Sequence, residues 1–178
     1  LDVVRNDISL TDGTRFVVIT GPNTGGKTVT LSTVGLLVLM AHAAIPIPVD
    51  PKSHVPRFDN VFALIGDAQD IQSDLSSFSG HLAALTKLLD SAGPGTLALL
   101  DELVVGTEPD AGAALAIAVM EELAGRGARG FVTTHYTRLK TLAYEDERFA
   151  NACVGVESDA VTPSYDLKMG LPGASNPF

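Results

Sequence analysis

The clearest chemistry in the chain lies in eight consecutive residues. Gly21-Pro22-Asn23-Thr24-Gly25-Gly26-Lys27-Thr28 follows the pattern G-x-x-x-x-G-K-[ST] in full. Glycines at those places let backbone N–H groups turn inward around an anion, and a helix starting directly behind them adds the positive end of its dipole. The lysine of such a loop reaches the β- and γ-phosphates of a nucleotide, and the hydroxyl beside it is placed for magnesium. With glycine near 7% of residues, a chance match in a chain of this length is on the order of 1%. The implied ligand is a nucleoside triphosphate with Mg2+.

A second group follows an apolar run. Leu97-Ala98-Leu99-Leu100 ends in Asp101-Glu102. Asp101 would hold the magnesium, often through water. Glu102 would polarise the attacking water as a general base. Taken alone, the pair reads equally well as a solvated strand end; a phosphate loop upstream favours the chemical reading. Thr133-Thr134-His135 closes a later apolar run, and an imidazole there can donate to the γ-phosphate or orient the water. Between the loop and the acids lies Leu75-Ser76-Ser77-Phe78-Ser79-Gly80. The hydroxyls of Ser76, Ser77 and Ser79 at a helix start suit an anion, and an ordinary serine cap explains them as well. Gln69 is either a sensor of magnesium or water, or a plain surface residue. His42, His54 and His81 have no metal-ligand spacing and read as surface or satisfied core groups. Cys153 has no adjacent base and reads as buried and inert.

The elements that must position these groups can be placed by periodicity and turn residues. Phe16 to Thr20 is a β-branched apolar run that reads as a buried strand. Helical spacing runs from Thr28 to Ala44 and stops at Pro46 and Pro48. Val61 to Ile65 reads as a strand, and Gly66 to Ser79 as a surface loop or frayed helix. Leu82, Leu85, Leu88 and Leu89 mark a helix closed by Gly93-Pro94-Gly95, ahead of the strand Leu97 to Leu100. Thr107 is placed to cap a helix from Pro109 to about Ala124 that ends at Gly125. Gly130 to Thr134 is a further strand, and Phe149 to Val156 with Tyr165 to Met169 reads as a late hairpin. Alternation of strands and helices implies an α/β domain with a mostly parallel central sheet, flanked by helices, and a peripheral antiparallel part. In such sheets ligands bind at the carboxyl ends of the strands, where the candidate functional groups lie.

The bulk properties narrow the partners. The chain has 178 residues, 46% of them hydrophobic, and a formal net charge of −9. One domain with one core is the natural reading. An acidic domain grips nucleic-acid phosphates poorly by itself. The single cysteine excludes an internal disulfide and fits a reducing, cytoplasmic compartment. No apolar run reaches the roughly 20 residues of a membrane span. A start at Leu1 and a stop just past Gly170-Leu171-Pro172-Gly173 read as cuts through a longer, multidomain protein, with residues 1–178 its ATPase domain.

The motifs GPNTGGKT, IGDAQDIQSDLSSFSGHL, LLDEL, GTEP, TTHY and LPGASNPF resemble, in this order, the ATPase domain of the MutS family, a branch of the ABC-type P-loop ATPases. They are most similar to the second bacterial MutS paralogue, the branch associated with suppressing recombination. The resemblance covers essentially all 178 residues. It implies an ATPase that works as a homodimer with two composite sites. Each site would take its phosphate loop and acids from one chain and its serine loop from the other. It also implies DNA-clamping segments outside this stretch, with branched DNA or ribosomal RNA as the partner, and no membrane. The segment with Val4 and Asn6 resembles the family's adenine-contacting region, although Arg5 stands where a proline is usual. Three more departures matter: Val104 for a glycine after the acids, Ser32 for a lysine on the first helix, and Ala174 for an arginine near the end. Val104 either occupies a position that does not need positive φ or marks an altered loop. A transporter head would carry LSGGQ and an SMC head a long insertion, and neither is present. A nucleotide-gated scaffold with little turnover is the other reading, and the intact Lys27, Thr28, Asp101 and Glu102 argue against it.

Overall fold

A computed structural model describes residues 3–66, 74–104, 108–156 and 163–173, without the side chains of Asn23, residues 74–78, Val156 and Pro163. Within these residues six strands form one sheet: β1 (Phe16–Thr20), β2 (Asn60–Leu64), β3 (Thr96–Leu100), β4 (Arg129–Thr133), β5 (Phe149–Val156) and β6 (Pro163–Met169). Four α-helices connect them: α1 (Lys27–His42), α2 (Asp74–Ser91), α3 (Pro109–Gly125) and α4 (Thr137–Glu145). The sheet order is β2-β3-β4-β1-β5-β6, with all pairs parallel except β5 with β6. The expected α/β class, with its antiparallel part at one edge, is therefore the observed one.

Strands covered on both faces read as unbroken apolar runs, and every residue of β1 and β3 is buried. Their alternate side chains serve two cores. Phe16, Val18, Ala98 and Leu100 pack with Leu85, Leu88, Met120, Leu123 and Leu139 from α2, α3 and α4. Val17, Ile19, Leu97, Leu99 and Phe131 pack on the other face with Leu31 and Val38 of α1. β4 enters the sheet through Gly130, where an added Cβ would lie 1.9 Å from the Ala98 carbonyl oxygen. A glycine inside a strand marks such a close approach. Gly130→Ala is therefore expected to destabilise the domain by about 1–3 kcal/mol or more through forced strand separation. Urea unfolding measures this; an unchanged midpoint would contradict it.

α3 spans Pro109–Gly125 as expected, but its cap differs from the sequence expectation, and the helix α4 has no counterpart in it. α2 begins at Asp74, so the helical alternative holds for residues 74–79 of the stretch read as a surface loop or frayed helix; Leu75 and Phe78 extend the spacing of Leu82 and Leu85, but the serines among them weaken the signal. The cap of α3 is Glu108, whose carboxylate accepts from the N–H groups of Asp110 and Ala111 at 3.2 and 3.0 Å; Thr107 lies outside the described residues. A longer acid side chain reaches the same orphan donors that a threonine would. The missed helix is α4. It is short, and only Leu139 and Leu142 among its apolar residues are fully buried, too few for a periodic pattern.

Candidate active site

The carboxyl ends of β1, β3 and β4 lie side by side, because β4 pairs with both β1 and β3. The loop after β1 turns through a short 3-10 segment, Asn23–Gly25, into α1. Gly21 has φ +133° and Gly26 φ +91°, a region that residues with a Cβ avoid. Space forbids a side chain as well. A Cβ on Gly21 would sit 2.6 Å from the Val154 carbonyl oxygen, and one on Gly25 2.8 Å from Val154 Cγ2. Pro22 packs on Gly25, while Thr24 is exposed. Gly26 caps α1 without a side-chain hydrogen bond, so the cap spends no side-chain acceptor on the first-turn N–H groups.

Lys27, the first residue of α1, is buried, and its Nζ donates to the Gly21 carbonyl at 2.9 Å across the loop. Burial pushes its ammonium below the ordinary lysine value, and the charges of Glu102 and Asp101 pull it back. Thr28 donates from Oγ1 to Asp101 Oδ2 at 2.7 Å. Thr133 donates to Asp101 Oδ1 and accepts from the Glu102 N–H at 2.9 Å. Glu102 itself holds φ +46°, unusual for a residue with a Cβ. Two hard oxygens, the Thr28 hydroxyl and the Asp101 carboxylate, form the partial donor set that suits Mg2+, an ion that keeps water and phosphate oxygens in its other positions. Among the described residues no group of three or more His, Cys, Asp or Glu side chains is clustered for a metal.

His135 is exposed at the end of β4, its ring centroid 4.7 Å from that of Tyr136. The Tyr136 hydroxyl donates to the Val104 carbonyl at 2.8 Å. Burial, and then the charge of Glu102, raise the pKa of Tyr136. Val104 is buried in the core beside α3 and is not among the residues with positive φ. A valine is therefore accommodated there without backbone strain. Asn6 commits both side-chain polar atoms to β6: it donates to the Tyr165 carbonyl at 2.9 Å and accepts from the Leu167 N–H at 2.7 Å. The half-exposed Tyr165 ring stands over Gly26, so Asn6 ties the N-terminal segment to the strand that flanks the phosphate loop. Val4 is exposed on that segment. Ser79 is exposed on α2, while the side chains of Ser76 and Ser77, and all of Gln69, lie outside the described residues.

One residue set aside in the sequence belongs here. His81 lines a cavity of about 160 Å3 together with Asp101 and residues Leu64, Ile65 and Gly66. Its Nδ1 is buried with no hydrogen-bond partner among the described residues. The cause is tertiary, since α2 carries it against the ends of β2 and β3. His42, by contrast, accepts from the Phe58 N–H at 3.4 Å. Cys153 is half-buried with its thiol pKa raised by burial, consistent with an unreactive side chain.

The described helices include none long and apolar enough to cross a membrane. The family model of MutS domain V matches residues 17–176. The chain is 48% identical over 176 residues to proteins named Endonuclease MutS2 from Bacillus mycoides (strain KBAB4) and Bacillus thuringiensis (strain Al Hakam). It is 47% identical to that of Bacillus velezensis (strain DSM 23117 / BGSC 10A6 / LMG 26770 / FZB42). Each alignment covers 99% of this chain and 22% of the relative's length. The chain belongs to the MutS family, through its domain V, and within that family to the MutS2 branch.

Proposed function

We propose that this domain binds ATP with magnesium and hydrolyses it at a site completed by a second copy of the chain. The observation that carries the reading is the linkage of Thr28, Asp101 and Glu102 at the mouth of the glycine loop. One hydroxyl and one carboxylate oxygen lie 2.7 Å apart beside Lys27, and a second carboxylate follows in the next residue. The glycine loop would hold the phosphates through backbone N–H groups, with Lys27 against their charge. Thr28 and Asp101 would hold magnesium, which supplies charge neutralisation on the phosphate oxygens. Glu102 would take the proton of the attacking water, with His135 donating to the γ-phosphate or orienting that water. Val4 and Asn6 lie on the segment that would border the adenine, and Gln69 would serve as a sensor of magnesium or water.

The far side of the γ-phosphate needs charge stabilisation that this chain's own loop does not supply. Ser76, Ser77 and Ser79, at the start of α2, would supply it to a partner chain. ATP would close the homodimer and hydrolysis would open it, clamping and releasing attached segments of a longer protein on branched DNA or on ribosomal RNA. The net charge of −9 favours nucleic-acid contacts outside this domain.

Mixing two inactive variants of the full-length protein tests the composite site. One carries Lys27→Ala, the other bulky residues at Ser76, Ser77 and Ser79. In a mixed dimer one site carries both lesions and the other neither. Activity is therefore expected to return to as much as about a quarter of wild type, given random exchange between dimers. A mixture as inactive as its components, with mixed dimers demonstrated, would exclude the composite site.

A further inference from the structure

We infer that Thr133 is a positioning residue of the hydrolytic centre, holding Asp101 and Glu102 in place through a single hydroxyl. The inference rests on the roles proposed above for those two carboxylates. In the sheet, β4 lies between β1, which leads into the phosphate loop, and β3, which leads into Asp101. Thr133 is the last residue of β4 and is fully buried. A hydroxyl has one proton and two acceptor sites, and this one uses both kinds. It donates to Asp101 Oδ1 and accepts from the Glu102 N–H at 2.9 Å. The other carboxylate oxygen, Oδ2, takes the Thr28 hydroxyl at 2.7 Å. Asp101 is thus gripped at both oxygens, one from the helix behind the phosphate loop and one from β4.

The same hydroxyl fixes the next peptide. Glu102 holds φ +46°, a conformation disfavoured for a residue with a Cβ unless surrounding contacts over-determine it. The bond from its N–H to Thr133 is such a contact. It sets the direction in which the Glu102 side chain leaves the strand end, and with it the place from which a base would approach water. A β-branched residue is restricted at χ1, which suits it to hold a hydroxyl in a defined direction. Serine at this position would keep the hydroxyl with more rotamer freedom, and valine would keep the shape without it.

The test compares Thr133→Val, Thr133→Ser and Glu102→Gln in the full-length protein. Turnover, KM and thermal midpoint are measured, together with the spin-resonance spectrum of Mn2+ bound with a non-hydrolysable ATP analogue. Thr133→Val is expected to lower kcat about 10- to 100-fold, the usual cost of losing an outer-shell partner, with KM little changed and an altered Mn2+ spectrum. Thr133→Ser is expected to recover most of both. Where valine is not tolerated in folding, Thr133→Ala carries the same comparison. A Thr133→Val or Thr133→Ala protein with wild-type kcat and spectrum overturns the inference. So does a serine variant that falls as far as valine, or a loss of kcat that disappears when counted per folded molecule. Glu102→Gln separates the two levels. If it keeps turnover, the reading of the site fails. If it is inactive while Thr133→Val is normal, only the role of Thr133 fails.

Discussion

Glu102→Gln is expected to lower ATP turnover by a factor of about 10²–10⁴, the usual contribution of a positioned general base, while leaving ATP binding in place. Glutamine has nearly the same shape, and the backbone N–H of residue 102 keeps its bond to Thr133. The Thr28–Asp101 pair and the glycine loop are untouched, so the groups proposed to hold phosphate and magnesium remain. Only the capacity to accept a proton disappears. With binding retained and hydrolysis removed, ATP should accumulate on the protein and hold the closed dimer. Single-turnover hydrolysis of labelled ATP gives the rate, and light scattering gives the mass of the complex. Turnover at the wild-type rate would remove Glu102 from the chemistry.

Lys27→Ala is expected to act at the preceding step, raising the Kd for Mg·ATP thirtyfold or more. That corresponds to about 2–5 kcal/mol, the cost of truncating one partner of a buried charge pair. Lys27 is only 3% exposed, and its ammonium spans the loop to the Gly21 carbonyl. Burial already disfavours its charge, and the neighbouring acids help to sustain it. A phosphate chain there would add opposite charge to that already provided by Glu102 and Asp101. Alanine is a strong helix former, so α1 should persist and the loss should report the missing charge. Lys27→Met, which keeps most of the packing, separates the charge from the volume it fills. Calorimetry on the full-length protein provides the measurement, and equal affinities for wild type and Lys27→Ala would take the loop out of the account.

What the sequence determines by itself is whatever depends on neighbours along the chain. The phosphate loop is legible because the glycines, the lysine and the hydroxyl that shape it are consecutive, and because backbone geometry demands glycine at Gly21 and Gly26. The strands β1, β3 and β4 are legible because a parallel sheet covered on both faces needs unbroken apolar runs, and each run ends at a group able to do chemistry. Family-specific motifs extend that reading along the whole chain. Where local signals are weak the reading thins: the start of α2 is legible only as a loop or frayed helix, the cap of α3 falls to Glu108, and α4 buries too few apolar residues to announce itself. Val104 shows the converse, since a departure in the motif has no backbone consequence once its φ is known.

The tertiary structure decides which distant groups meet. The order β2-β3-β4-β1-β5-β6 inserts β4 between β3, the strand before it in the chain, and β1, the first strand. That insertion brings Thr133 to Asp101, and α2 brings His81 to the same carboxylate's cavity. The edge strand β6 lays Tyr165 over Gly26 and takes both polar atoms of Asn6. None of these pairs has a signature in spacing, because their separations follow from connection lengths that loops and helices can vary freely. Hydrogen bonds act over about 3 Å, so partners so far apart in sequence are chosen only when the sheet order is set.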